Sequence, residues 1–141
     1  MPHKEYRTTS PQETLALGAE IGRDIDDNAL ICFFGDLAAG KTTFIKGFVH
    51  GACGISIDEV TSPTFTYLHL YHGERTVYHF DLYRIPSSEE FRIMGFEDYF
   101  GAGGICCIEW SEHIVDILPT HCHEVHLFHD GENNRNIRVS L

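Results

Sequence analysis

Residues 29–43 read ALICFFGDLAAGKTT, and this stretch decides the fold. It opens with an apolar run, Ala29 to Phe34, which has the length and composition of a buried central strand. The run stops at a glycine, and residues 35–42 fit the pattern of Gly, four residues, Gly-Lys-Thr. Apolar residues then recur at helical spacing from Lys41 to Gly54. The stretch therefore predicts a strand, a glycine-rich loop and a helix in succession.

Such a loop is typical of sites that bind the phosphate chain of a nucleotide. Its glycines let backbone N–H groups approach phosphate oxygens, and the helix start adds donors and the positive end of its dipole. Lys41 is expected to point into solvent until phosphates occupy the loop, and Thr42 would offer its hydroxyl to a bridging magnesium ion. The alternative is a glycine-rich turn with a solvated lysine. The predicted nucleotide-binding residues here are Gly35, Asp36, Leu37, Ala38, Ala39, Gly40, Lys41, Thr42 and Thr43.

An enzyme of this kind also needs a carboxylate near the ion, at the carboxyl end of a neighbouring strand. Two residues meet this requirement. Glu109 directly follows the apolar run 105–108, and Asp81 directly follows the β-prone run 77–80. Either carboxylate could instead be a solvated charge at the end of a strand or a helix cap. The sequence alone does not decide which of the two touches metal.

The remaining patterns predict the elements around this core. Ser10 and Ser87 each begin a capping box, and paired β-prone runs flank two turns. We expect helices over 11–25 and from Ser87 to Gly95, and hairpins pairing 67–71 with 76–80 and 125–128 with 137–141. Together these elements make residues 1–141 a single α/β domain.

Composition excludes several classes of protein. The 141 residues are 43% hydrophobic and 22% charged, which is typical of a folded globular domain. Lys and Arg number 10 against 21 Asp and Glu, and the net charge of -11 opposes direct binding to nucleic acid. The five cysteines are odd in number and do not resemble a secreted disulfide framework. No segment approaches the roughly 18 apolar residues of a membrane span, so we expect a cytoplasmic protein without membrane contact.

Three further features are open to functional and structural interpretations. Residues 61–66 read TSPTFT, which is compatible with a segment ordered by a γ-phosphate and equally with a turn entering a strand. Residues 121–129 read HCHEVHLFH and raise the question of zinc, but matching ligands elsewhere are not evident. Cys106 and Cys107 are interpreted as small buried hydrophobes rather than nucleophiles.

Four motifs follow one another along the chain: GDLAAGKTT at 35–43, TSPTFT at 61–66, YHFDLYR at 78–84 and IEW at 108–110. In this order they resemble the signatures of the bacterial TsaE (YjeE) ATPases. The resemblance runs from about Thr14 to Val139, and it departs from the family pattern at Ala38, where glycine is usual. It implies a P-loop NTPase-like domain with a mixed β-sheet flanked by helices.

The resemblance also implies a function. It points to an ATPase, using ATP and Mg²⁺, that acts with the TsaB and TsaD proteins to install threonylcarbamoyl on N6 of adenosine 37 in tRNA. The tRNA would be held by the complex rather than by this chain, which agrees with its acidic charge. With few residues to orient water and no arginine finger in the P-loop segment, hydrolysis should be weak alone and stimulated by partners. The rival classes are a small-molecule P-loop kinase and a nucleotide-gated binding module.

The same resemblance implies roles for individual residues. It implies catalytic roles for Lys41, Asp81 and Glu109, with Lys41 on phosphate and Asp81 in a catalytic or switch segment. The remaining implied roles are magnesium binding by Thr42 and Glu109, a first switch around Thr64, a partner-facing or site-shaping Trp110, and Arg135 near the nucleotide.

Overall fold

The computed structural model describes residues 3–36, 39–63 and 65–141, so the predictions for Leu37, Ala38 and Thr64 lie outside the described residues. In chain order the strands and helices are β1 His3–Thr8, α1 Pro11–Asp24, β2 Leu30–Phe34, α2 Lys41–Cys53, β3 Leu68–His72, β4 Thr76–Asp81, α3 Ser88–Ile93, β5 Ile105–Glu109, β6 His123–His129 and β7 Arg135–Ser140. Short 3₁₀ helices cover Ile57–Glu59, Phe96–Gly101 and Ser111–Ile117.

The described strands form one sheet in the order β1-β7-β6-β2-β5-β4-β3. Strands β6, β2, β5 and β4 are parallel to their neighbours in this central block, whereas β3 and β7 run antiparallel to theirs. The predicted mixed sheet is therefore confirmed. Because the central strands are parallel, the carboxyl ends of β2, β4, β5 and β6 meet at one edge of the sheet.

The buried strand β2 divides the core into two layers. On one face, Ile31 and Phe33 pack with the apolar sides of α1 and α2. On the other face, Leu30 and Cys32 belong to a cluster that includes Phe80 and the residues of α3 and the 3₁₀ helices. Helices thus flank both faces of the central strands, as expected for an α/β domain.

The helix caps and hairpins agree with the sequence signals. The Ser10 hydroxyl accepts a hydrogen bond from the Glu13 backbone N–H at 3.1 Å, and the Ser87 hydroxyl accepts one from Glu90 at 3.3 Å. Both predicted hairpins are present, in the pairs β3–β4 and β6–β7. Helix α1 ends one residue before the predicted end, with Ile25 as its C-cap.

Helices α1 and α2 pack with their backbones in direct contact. Two glycines from each helix line the contact, and a Cβ atom on any of them would collide with a backbone carbonyl oxygen of the other helix. The colliding pairs are Gly18 with Phe44, Gly22 with Phe48, Gly47 with Leu15, and Gly51 with Ala19. The position of α2, which begins at Lys41, is therefore fixed by α1 through contacts that leave no room for a methyl group.

Arg75 ties the β3–β4 hairpin to the carboxyl ends of both helices. Its guanidinium donates to the carbonyl oxygens of Gly22 and Ile25 at the end of α1, and to that of Ala52 in α2. These carbonyl groups lie in the last turn of each helix or just beyond it, where intrahelical partners run out. A residue that the sequence places in a hairpin turn is thus also a helix cap.

The sequence patterns do not predict strand β1 or the 3₁₀ helices. β1 reads HKEYRT, is exposed along most of its length and pairs only with β7 at the edge of the sheet. Among the described residues, none of the helices combines the length and apolar composition needed to cross a bilayer.

We predict that Gly47→Ala destabilises the fold, because the new methyl group would meet the carbonyl oxygen of Leu15. Overpacking of this kind costs about 1–3 kcal/mol. Gly101→Ala is the matched control, since an added Cβ there meets nothing within 4 Å. Urea unfolding of both variants measures the difference, and equal loss of stability in the two would contradict the backbone contact.

Candidate active site

The predicted phosphate-binding loop joins β2 to α2 at the edge of the sheet where the parallel strands end. Gly40 is the N-cap of α2 with a φ of 87°, a left-handed conformation that favours glycine. Within the described residues, no side chain caps this helix, so its first N–H groups stay available to a ligand. Within the loop, the Ala39 N–H donates a hydrogen bond to the carbonyl oxygen of the exposed residue Asp36 at 3.0 Å.

Lys41 does not point into solvent. It is only 8% exposed, and its Nζ lies 3.5 Å from Glu109 Oε1 and 3.4 Å from the carbonyl oxygen of Gly35. The ammonium also lies over the indole ring of Trp110, 5.5 Å from its centre. The expectation of a solvated lysine is therefore wrong, because a buried carboxylate on the neighbouring strand attracts the ammonium when phosphate is absent.

Glu109 is the last residue of β5 and is held from two sides. Lys41 contacts Oε1, and His79 Nε2 lies 2.9 Å from Oε2. Burial raises the pKa of Glu109, but the hydrogen bond and charge of His79, together with Lys41, lower it by more. The carboxylate therefore stays ionised although only 6% of the residue is exposed.

The two residues expected to bind magnesium, Thr42 and Glu109, line one small cleft together with further hydroxyl groups. Thr42, Thr61, Ser62 and Glu109 all line it, with His79 at its wall. An ionised carboxylate and hydroxyl oxygens are hard ligands of the kind that Mg²⁺ prefers. The residues present thus fit the implied ion, and Thr42 and Glu109 are brought together as the sequence predicted.

Asp81 lies beside Glu109 as its partner in the β4–β5 pairing. It is 6% exposed, and its Oδ1 accepts a hydrogen bond from the Tyr83 backbone N–H at 3.1 Å. Asp81 is therefore buried rather than solvated, and the contact stabilises the turn after β4. Its role in catalysis stays a prediction.

Two non-glycine residues with positive φ flank the site. Trp110, directly after Glu109, has a φ of 62°, and Tyr67, directly before β3, has a φ of 67°. Such backbone conformations are strained for large side chains and tend to occur at functional sites. At Trp110 the turn places the indole against Tyr83, with ring centres 5.1 Å apart, and under Lys41. Trp110 therefore shapes the site.

Arg135 and the start of α1 bound the other flank of the loop. Strand β6 ends beside β2, and β7 runs back from that end of the sheet. Arg135, at the start of β7, therefore lies next to Gly40: a Cβ atom added to Gly40 would lie 3.4 Å from Arg135 Nε. A small cleft is lined by Pro11, Thr14, Gly40, Thr43, Asn133 and Arg135. The prediction that Arg135 lies near the loop agrees with this placement, and the unpredicted strand β1 delivers the start of α1 to the same place.

His79 is the site residue that the sequence analysis missed. It lies in the β-prone run and in the motif at 78–84, which assigns it no role, although it stands two residues before Asp81 and so on the same face of β4. That spacing was the available signal. Its contact with Glu109 depends on the pairing of β4 with β5, which the sequence alone did not provide.

The cysteines and the histidine-rich segment do not add to the site. Burial raises the pKa of the Cys106 thiol to about 12 and that of Cys107 well above its ordinary value, as expected of small buried hydrophobes. Strand β6 begins at His123, so His121 precedes it, and His126 Nε2 pairs with Glu124 at 2.8 Å. Across the described residues, no group of three or more His, Cys, Asp or Glu side chains could hold a metal ion.

Comparisons with known proteins agree with this geometry. The family model described as threonylcarbamoyl adenosine biosynthesis protein TsaE matches residues 8–137. The tRNA threonylcarbamoyladenosine biosynthesis protein TsaE of Treponema pallidum is 40% identical over 132 residues, covering 93% of this chain and 96% of that protein. The Bacillus subtilis protein of the same name is 35% identical over 138 residues, covering 97% and 85%. The crystal structure of Bacillus subtilis YdiB matches with a TM-score of 0.81 and 31% identity, over 99% of this chain and 85% of that one.

The matched range includes the loop between β2 and α2, the ends of β4 and β5, and the start of β7. These are the elements that carry Lys41, Asp81, Glu109 and Arg135, so the family match and the observed site cover the same residues. The resemblance of the four motifs is confirmed. The chain belongs to the family of the threonylcarbamoyl adenosine biosynthesis protein TsaE.

Proposed function

We propose that this chain binds and hydrolyses ATP in the synthesis of N6-threonylcarbamoyladenosine at position 37 of tRNA, acting with TsaB and TsaD. One observation carries the proposal: Lys41, Thr42 and Glu109 converge where β2 and β5 end, beside an uncapped helix start. The relatives from Treponema pallidum and Bacillus subtilis are named for biosynthesis of this nucleoside, which supports the same role here.

The chain's own groups account for phosphate binding. N–H groups in the first turn of α2 donate to phosphate oxygens, and the helix dipole favours the negative charge. Lys41 leaves Glu109 and the Gly35 carbonyl oxygen to contact the phosphates by rotating its flexible side chain. On the other flank, Arg135 adds positive charge beside Gly40.

Thr42 and Glu109 are the residues that would hold magnesium. When bound, the ion supplies charge neutralisation on the β- and γ-phosphates. Glu109 is already ionised, so it does not have to lose a proton to act as a ligand. Asp81, at the neighbouring strand end, is proposed to act in a catalytic or switch segment together with residues 61–66.

The charge of the chain supports a role beside tRNA-binding partners. At a net charge of -11 the chain repels a phosphate backbone, so contact with tRNA runs through the partner proteins. All five cysteines are free thiols, which is the pattern of proteins from a reducing compartment, so we place the activity in the cytoplasm.

Lys41→Ala should weaken ATP binding by at least about tenfold, because a charged hydrogen bond to phosphate is worth about 1.5–3 kcal/mol. Titration calorimetry with ATP and magnesium measures the affinity. Lys4→Ala, on the exposed edge strand β1, is the control and should bind as the wild type does. Unchanged affinity in Lys41→Ala would reject the P-loop assignment.

Glu109→Gln should lower magnesium-dependent hydrolysis roughly a hundredfold while changing magnesium-free nucleotide binding little, because the amide is a weak ligand of a hard cation. Turnover and affinity are measured with magnesium and with EDTA. The control is Glu112→Gln, an exposed position three residues further along the chain. Asp81→Asn in the same assay should also lower turnover, and normal turnover would leave Asp81 with its role in the turn at Tyr83 alone.

Turnover should be slow for the chain alone and faster with TsaB and TsaD, since the described site offers few groups to stabilise transition-state charge. Trp110→Ala should bind ATP yet lose most of the stimulation. Phe128→Ala is the matched control, because this aromatic residue is 46% exposed on β6, away from the Trp110 turn. Equal turnover of the free and assembled wild type would contradict partner dependence, and turnover that instead needs a small acceptor would indicate a kinase.

A further inference from the structure

His79 is a buried polar residue between the apolar core and the cleft of the site. It is 2% exposed, and it stands on β4 between Val77, which belongs to the apolar core, and Asp81. Its partner in the β4–β5 pairing is Cys107, another residue of the same apolar cluster. Val77 and Cys107 are thus apolar neighbours of the ring, whereas its partner on β3 is His69, and a buried polar ring has a desolvation cost unless it is hydrogen-bonded.

The two ring nitrogens of His79 differ in their hydrogen bonding to the described residues. Nε2 lies 2.9 Å from Glu109 Oε2, whereas Nδ1 is buried and has no hydrogen-bond partner among the described residues. A carboxylate only accepts hydrogen bonds, so the proton of this contact is on Nε2. Among the described residues, the hydrogen bond to Glu109 is therefore the polar contact that offsets the desolvation cost of burying the imidazole ring.

The two oxygens of the Glu109 carboxylate have different partners. Oε2 is occupied by His79, while Oε1 faces Lys41 at 3.5 Å. Rotation of the carboxylate would break the His79 contact, and the 2.9 Å distance is that of a well-formed charge-assisted hydrogen bond. The contact therefore fixes the orientation of the carboxylate, with one oxygen turned toward the loop.

We propose that His79 is a positioning residue that orients Glu109 as the magnesium ligand of this site. The inference rests on the proposed ATP-binding function, and it adds a residue that acts only through Glu109. Partners that orient a metal ligand in this way are worth about 10- to 100-fold in metal affinity. The effect of removing His79 should therefore fall on magnesium dependence and not on nucleotide binding as such.

The test compares His79→Leu, His79→Gln and the control His72→Leu with the wild type. Leucine removes the donor and fills much of the same space, whereas the glutamine amide can place an N–H near the Nε2 position. His72 is exposed at the end of β3, where its ring contacts Thr76. Thermal unfolding establishes that each variant is folded before binding is measured.

The first measurement is the affinity for a fluorescent ADP analogue across a magnesium titration, with an EDTA series for magnesium-free binding. In His79→Leu the half-maximal magnesium concentration should rise about 10- to 100-fold. It should return to within about threefold of the wild type in His79→Gln, and the EDTA affinities should all agree. A wild-type magnesium response in folded His79→Leu would overturn the positioning role while leaving the proposed function intact.

Two other outcomes are equally informative. Absence of magnesium-dependent nucleotide binding in the wild type would overturn the proposed function and this inference with it. The second measurement needs no nucleotide: ¹⁵N NMR of the histidine-labelled chain should show His79 with a proton on Nε2. An unprotonated Nε2 would overturn the positioning contact whatever the nucleotide data show.

Discussion

A carboxylate buried at the end of a central strand constrains the whole site. Glu109 can remain ionised with so little exposure only because Lys41 and His79 approach its two oxygens. These three residues come from α2, β4 and β5, so the charge is compensated only when all three elements are in register. A slip of one residue in the β4–β5 pairing would turn His79 to the opposite face and leave the carboxylate with one partner.

The backbone contact between α1 and α2 positions the helix that carries Lys41. Lys41 is the first residue of α2, and the glycines at 47 and 51 hold that helix against α1. A helix packed this closely cannot move nearer to α1, and a movement relative to α1 would break close contacts. Adjustment of the site to phosphate must therefore come from side chains, chiefly the Lys41 stem, and from the loop and strand-end segments.

The elements that sequence reasoning predicted are those with a local signal. The capping boxes at Ser10 and Ser87, the glycine loop and the two hairpins each carry their pattern within a few residues, and each is present in the structure. Strand β1 was missed because its alternation is mostly polar and its pairing partner β7 lies about 130 residues away. An edge strand of this kind has little apolar periodicity to detect.

The site residues likewise fall into those that the sequence predicts and those that depend on contacts between distant elements. The rule that parallel strands end at one edge predicts a carboxylate, Asp81 or Glu109, near the loop, and the resemblance adds Glu109 as the magnesium residue. The structure brings Lys41, Thr42 and Glu109 together. The burial of Lys41 and the role of His79 were not predicted, since both depend on side-chain contacts between elements far apart in the chain. The family resemblance could not supply them either, because shared motifs identify residues without stating which atoms meet.

The contact between Lys41 and Glu109 links the proposed phosphate and magnesium sites. In the observed arrangement each of these charges neutralises the other at 3.5 Å. In the proposed function, a phosphate chain at the start of α2 would compete with Glu109 for the ammonium, because a polyanion there offers Lys41 a stronger field. Once Lys41 leaves, Glu109 keeps only the His79 hydrogen bond, and its free Oε1 requires a new positive partner. In the proposed function, a bound nucleotide would therefore favour a cation at the place where Thr42 and Glu109 lie, and binding of the two ligands would be coupled through Lys41 and Glu109.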